Sequence, residues 1–192
     1  MKDKFFSLIA RLRHIDRWSL MRNTRKENVA EHSYITAVVA HALCIIENEL
    51  FGGELNPEKA AVFALYHDSA EVFTGDLPTP VKYHSEEIRA AYKAIEEKAE
   101  KKLLEFLPNE LKEAFAKTVS PEKSEPEYKF VKYADKLAAL IKCNEELSAG
   151  NAEFAAAKKS IEKTLESIPE KSVKYFLQNF ADSFGLSLDE TL

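Results

Sequence analysis

Apolar residues recur along the chain at intervals of three and four, the spacing of one face of an α-helix rather than the alternation of a half-buried strand. Phe5, Leu8, Ile9 and Leu12 predict a first amphipathic helix between about Lys2 and His14. Asn28 followed by Glu31 reads as a capping box, and the nearly all-apolar run from Val29 to about Leu50 predicts a long buried helix ended by Gly52-Gly53. Asn56 as N-cap with Pro57 in the first turn opens a helix expected to run through His67-Asp68 to Thr74-Gly75. Ser85 caps another, with Ile88, Tyr92, Ile95, Ala99, Leu103 and Phe106 at helical spacing, and a shorter one follows Pro108 toward Lys117. Phe130, Val131, Ala134, Ala138 and Ile141 mark the inward face of a helix from about Glu127 to Ser148, with Gly150 just past its end. Asn151 restarts the chain to about Glu166, and a last helix after Pro169 carries Val173, Phe176, Leu177 and Phe180. The pattern predicts an all-α fold, a helical bundle of about seven or eight helices, and 192 residues suit one domain spanning 1–192.

Polar groups on these apolar faces carry the chemistry. His67 and Asp68 follow Ala60-Ala61-Val62-Phe63-Ala64-Leu65 into the interior, where an unpaired charge must find a partner or a metal. Glu71 lies four residues after His67 and three after Asp68, so on a continuous helix it shares their side as an acid/base beside them. His32 lines up with Ile35, Thr36, Val39 and Leu43, whereas His41 projects from the opposite side and is expected to be packed or hydrogen-bonded. Asp135 falls with Val131 and Ala138, an acid on a buried surface, and adjacent Lys136 is expected to point away from it. Two imidazoles and two carboxylates from three helices, His32, His67, Asp68 and Asp135, can make a divalent-metal site with positions left open.

Two loops frame this set. The segment 15–26 holds the only tryptophan, Trp18, beside Arg17, Arg22 and Arg25, and arginine next to a flat ring suits a phosphate and a sugar or base. Asp76-Leu77-Pro78-Thr79, emerging after Glu71 with Pro80 following, is a natural substrate rim.

Composition removes other classes. Net charge is −5 with a pI near 5.7, which gives no support for binding a nucleic-acid polymer, so an anionic substrate needs locally placed cations. Cys44 and Cys143 form no CxxC pair and read as free buried thiols. The Phe5 to Ala10 run is too short for a signal sequence and no span is expected to cross a membrane, so the expected location is cytoplasmic. Neither a P-loop nor a GxGxxG motif occurs.

A histidine, a His-Asp dyad and a later isolated aspartate together resemble the HD-domain phosphohydrolases. More specifically, Arg17-Trp18 with Met21-Arg22-Asn23, Glu27 to Ser33, Tyr66-His67-Asp68 through Thr74 to Tyr83, and Cys143 with Glu145-Glu146-Leu147 and Gly150-Asn151 resemble the bacterial 5′-deoxynucleotidases of that superfamily. The likeness spans nearly the whole chain and is loose between about Glu97 and Glu127. It implies an HD-domain all-α enzyme, usually a homodimer, that hydrolyses deoxyribonucleoside 5′-monophosphates with a divalent metal ion, cobalt or manganese foremost, with iron, zinc or copper as further options. By the same resemblance His32, His67, Asp68 and Asp135 match the metal ligands, and His32, Asp68 and Asp135 also face substrate. Glu71 matches the acid that activates water or protonates the leaving oxygen, and Arg17 the arginine that orients phosphate. Trp18 matches the ring that crowds the sugar 2′ position, and Asp76, Leu77, Pro78 and Thr79 the loop against the nucleoside.

Two alternatives stand beside this reading. One keeps the HD site but acts on a deoxynucleoside triphosphate, a cyclic nucleotide or a guanosine polyphosphate; polyphosphates need several cations, and the candidates near the motif are Arg17, Arg22, Arg25 and Lys82. The other is a helical nucleotide-binding module without catalysis, against which stand five polar groups kept on apolar faces.

Overall fold

Capping residues set where the helices of the computed structural model begin. The structure describes residues 3–82 and 84–192; Met1 and Lys2 of the expected first helix, and Tyr83 of the loop motif, lie outside the described residues. Asn28 Oδ1 accepts the Glu31 N–H at 3.0 Å, Asn56 Oδ1 accepts that of Lys59 at 2.9 Å, and Ser85 Oγ that of Ile88 at 3.3 Å. The α-helices, in chain order, are α1 Phe5–Ile9, α2 Val29–Phe51, α3 Pro57–Tyr66, α4 Glu71–Thr74, α5 Thr79–Lys82, α6 Glu86–Leu104, α7 Asn109–Val119, α8 Pro126–Ser148, α9 Ala155–Glu166, α10 Lys171–Asn179 and α11 Leu188–Thr191. Seven of them have nine or more residues, and each of these matches a helix that periodicity predicts; the expected first helix is shorter, α1 passing at Ala10 into a 3-10 turn that runs to His14. Among the described residues the extended pairing is one isolated bridge, Asp16 with Asn28.

Helix α2 is the axis of the fold. It packs on α3, α8 and α10, burying Val39, Ala40, Leu43 and Cys44 against Phe63, Ala64, Val131, Ala134, Leu137 and Val173. Contrary to the expectation from sequence, α2 is long and apolar enough by length and composition to cross a bilayer; half of its apolar window is buried in the bundle, where it packs on its neighbours. Its outer face carries Tyr34, Val38 and Ile45, all exposed, with half-buried His41 on the same stripe. A smaller core of Phe5, Leu103, Leu107 and Val119 joins α1, α6 and α7. Helix α6 meets its neighbours with Tyr92, Ala99 and Leu103, leaving Ile88 and Ile95 exposed.

The helix expected to carry His67, Asp68 and Glu71 is broken in two. α3 ends at Tyr66, a tight turn covers 67–70, and α4 begins at Glu71. His67 Nδ1 bonds the Ala64 carbonyl at 2.6 Å, taking the acceptor that the next helical N–H would use, and the backbone changes to three-residue bonds, Ser69 N to Tyr66 O and Glu71 N to Asp68 O, both 3.0 Å.

The 15–28 loop is stapled to the far end of α8. Glu146, buried, accepts from Thr24 N and Oγ1 at 2.8 Å, Arg25 N at 3.2 Å, Asn151 Nδ2 at 2.8 Å and Lys142 Nζ at 2.5 Å. Burial opposes its charge, yet these donors hold its pKa below the ordinary glutamate value. Glu146→Ala strips the buried Lys142 ammonium of its carboxylate and three loop donors of their acceptor, so it is expected to cost about 3–5 kcal/mol in urea unfolding; a loss within error of zero would show that the loop is held elsewhere.

Candidate functional site

Three elements converge on one polar cluster. α2 contributes His32 from its first turn, the 67–70 turn contributes His67 and Asp68, and α8 contributes Asp135. Ligand atoms of His32, His67 and Asp135 lie within 4.8 Å of one another. His32 Nε2 is 3.0 Å from Asp135 Oδ1 and 3.7 Å from Asp68 Oδ2; His67 Nε2 is 3.0 Å from Asp68 Oδ2 and 4.0 Å from Asp135 Oδ1. The imidazoles are inaccessible, whereas Asp68 and Asp135 remain about one-fifth exposed, so the cluster opens on its carboxylate side.

This donor set fits a divalent metal. The Ala64 carbonyl accepts the His67 Nδ1–H, which turns Nε2 toward the cluster, and that buried Nε2 has no hydrogen bond of its own. Two imidazole nitrogens and two carboxylates suit manganese, iron, cobalt or zinc. Burial opposes the charge of Asp68, but His67 and His32 hold its pKa low; Asp135 is likewise held low against burial by His32, Lys136 and His67. Lys136 does reach Asp135, at 3.7 Å. Adjacent helical residues diverge at Cβ, but the four-carbon lysine stem curls back to the open edge of the carboxylate.

Arg17 enters from the 15–28 loop with an 11% exposed side chain, its Nη1 3.7 Å from Asp68 Oδ2 and 3.8 Å from Asp76 Oδ1. Burial disfavours its charge, and Asp68, Asp135, Glu27 and Asp76 more than offset this. Trp18 follows at φ 56°, a left-handed backbone rare for a bulky residue, with its ring 5.2 Å from that of Phe154. Glu71 is buried beside the cluster with Oε2 unpaired, and burial together with Asp68 and Asp76 pushes its pKa up to about 10. Asp76, raised by burial against the pull of Arg17, leads into half-buried Leu77 and Pro78, while Thr79 starts α5 at the exposed rim.

The other loop arginines are not in the site. Arg22 points outward to Glu153 at 2.7 Å with a 93% exposed side chain, and Arg25 is also exposed, 3.7 Å from Glu31. Lys82 stays near, bonded to Glu96 at 2.8 Å and acting on Glu71 and Asp76. Sequence reasoning missed Lys132, one turn before Asp135 on α8, an exposed lysine whose ammonium lies 5.2 Å from the Tyr128 ring centroid and whose charge Tyr128, Asp135 and Asp68 favour. It also missed Glu27, which bonds Arg17 Nε at 3.0 Å and Trp18 Nε1 at 3.1 Å. The i, i+3 spacing to Asp135 could have flagged Lys132; nothing local marks Glu27, ten residues from Arg17.

An all-α bundle in which His, His-Asp and a distant Asp meet at one opening is the architecture of the HD-domain phosphohydrolases. A solved HD-domain phosphohydrolase of Listeria innocua superposes with TM-score 0.83 at 28% identity, over 94% of this chain and 88% of that one. The chain belongs to the 5′-deoxynucleotidase YfbR-like family, whose model matches residues 4–184. It is 54% identical over 190 residues to a 5′-deoxynucleotidase of Vibrio vulnificus, covering 98% of each chain. The HD phosphohydrolase of cyanophage S-2L, solved with dA and one catalytic Zn2+, shares the fold at TM-score 0.62 and 23% identity, over 93% of this chain and 95% of that one.

The raised Glu71 carboxyl has a stability consequence. Its folded pKa of about 10 exceeds the ordinary 4.5, so the folded state holds a proton that the unfolded state releases, and stability falls as pH rises from about 4.5 toward 10. In chelator-treated protein, Glu71→Gln is expected to raise the Tm at pH 8 by about 5 °C or more, a gap that closes toward pH 4.5. A Tm difference independent of pH would remove the buried proton from Glu71.

Proposed function

We propose that this chain is a metal-dependent 5′-deoxynucleotidase that releases phosphate from deoxyribonucleoside 5′-monophosphates and discriminates against ribonucleotides. The observation that carries this reading is the Arg17 guanidinium set against Asp68 and Asp76 at the open edge of the His/Asp cluster, on the loop that also carries Trp18. The family membership and the Vibrio relative's name support the same reaction. So does the scarcity of cations: with Arg22 and Arg25 turned outward, Arg17, Lys82 and Lys132 suit one phosphate better than a chain of them.

His32, His67, Asp68 and Asp135 would hold the ion, cobalt or manganese foremost, which when bound supplies a water of lowered pKa and charge to offset the phosphoryl oxygens. The chain's own groups do the rest. Arg17 offers its guanidinium to the phosphate oxygens and fixes the phosphorus against the cluster. The water oxygen bonds to phosphorus as the bond to the 5′ oxygen breaks; Glu71, whose carboxyl burial, Asp68 and Asp76 keep protonated, is the group beside the cluster placed to give that oxygen its proton, and the carboxylate it leaves takes one back from the attacking water. Asp76, Leu77, Pro78 and Thr79 line the nucleoside side. Trp18 excludes a 2′-hydroxyl by occupying its space, a clash rather than a lost bond. The whole chain acts as one domain in the cytoplasm, and a second copy of it is the proposed partner, for which the exposed Tyr34, Val38 and Ile45 stripe of α2 offers an apolar face.

Chelator-stripped protein given back cobalt or manganese is expected to release phosphate from dAMP, to do so far more slowly from AMP, and to release none without metal. Comparable release from dGTP would replace the monophosphate reading with the polyphosphate one, and no release from any substrate would leave a binding module. Trp18→Ala is expected to raise the AMP rate relative to dAMP by about tenfold or more, the size of a relieved steric clash of about 1.4 kcal/mol. An unchanged ratio would take Trp18 out of the discrimination.

A further inference from the structure

We infer that Glu27 positions Arg17 and Trp18 as a unit, so that phosphate orientation and discrimination at the sugar 2′ position depend on one carboxylate. One oxygen, Oε2, accepts both Arg17 Nε at 3.0 Å and Trp18 Nε1 at 3.1 Å. Consecutive side chains ordinarily diverge; here both turn to the same atom. The backbone at Trp18 makes this possible, because its left-handed φ of 56° swings the indole round toward the side on which Arg17 reaches Glu27. A conformation so sparsely populated persists only where its surroundings impose it.

Those surroundings are the sealed base of the loop and the groups that back the indole. Arg17 N donates to Glu27 O at 2.9 Å and Val29 N to Ile15 O at 3.0 Å, which with the Asp16–Asn28 bridge seals the base of the loop and sets Glu27 opposite Arg17. Asn23 Nδ2 bonds the Trp18 carbonyl at 3.2 Å, and Phe154 backs the indole. The Glu27 side chain is 13% exposed, so few waters can stand in for it, and its charge lets one oxygen hold two donors strongly. Arg17 then points its remaining fork, Nη1, at Asp68 and Asp76. Glu27 is therefore a positioning residue: it touches neither the phosphate nor the sugar but sets the two groups proposed to do so. The inference rests on the deoxynucleotidase reading above.

The test uses Glu27→Gln and Glu27→Ala in the full-length, metal-loaded protein, with three readouts: bound metal, kcat and KM for dAMP and AMP, and the emission of Trp18, the sole tryptophan. Gln keeps the size and one accepting oxygen but no charge, whereas Ala removes both bonds. Metal content is expected to stay at the wild-type level. The KM for dAMP is expected to rise, and the dAMP-to-AMP ratio of kcat/KM to fall about tenfold in Glu27→Ala and less in Glu27→Gln, the loss of charge-assisted bonds worth about 1.4 kcal/mol or more. Trp18 emission should shift to the red and become easier to quench with acrylamide, in the same order. A folded Glu27→Gln with wild-type ratio, KM and emission overturns the inference while leaving the deoxynucleotidase reading intact. Loss of metal together with activity overturns it too, because Glu27 would then support the cluster rather than the loop. A wild-type protein that fails to prefer dAMP falls earlier, at the reading itself, before any variant is compared.

Discussion

The structure depends on keeping two imidazoles and two carboxylates together where water cannot reach the rings. His32 and His67 are sealed inside the bundle, and each is compensated only because Asp68 and Asp135 approach from other elements. No single helix could supply this arrangement. α2 must cross α3 and α8 at the depth of its first turn, and the small side chains Ala60, Ala64, Ala134 and Ala138 let these helices approach closely enough. The apolar core is thus in register with the polar site, since displacing α8 along α2 by one turn would part His32 from Asp135.

The break after Tyr66 serves the same constraint. By taking the Ala64 carbonyl, the His67 ring ends α3, fixes its own tautomer and opens the turn from which Asp68 faces both histidines. One hydrogen bond thereby sets a local backbone shape and the acceptor state of a ligand atom. Glu71, at the start of the next short helix, is left buried among acids, and its carboxyl keeps a proton for that reason.

The second half of the site is built by a different device. The loop carrying Arg17 and Trp18 lies outside any helix, and its rigidity comes from two carboxylates acting at opposite ends. Glu146 ties residues 24–25 to α8 and Asn151, and Glu27 gathers the arginine and the indole. A helix-borne metal-type cluster and a carboxylate-clamped loop meet at Arg17, which faces one with Nη1 and the other with Nε.

Sequence alone determined the helical class, the capped starts of α2, α3 and α6, and the identity of His32, His67, Asp68 and Asp135 as the odd polar residues on apolar faces. These follow from local rules: periodicity, caps, and the cost of burying an unpaired charge. It did not determine that the His67 helix stops at Tyr66, because the competing bond is a side-chain one that periodicity cannot register. Nor did it reveal that Arg22 and Arg25 leave the site, or that Lys136 curls back to Asp135, since long flexible side chains are placed by partners rather than by spacing. Glu146 and Asn151 stood in a recognisable segment with no visible partners until the fold brought Thr24 to Glu146 and the Arg22 carbonyl to Asn151, each across more than a hundred residues. Such pairings depend on distances between elements, and only the packed tertiary structure specifies those.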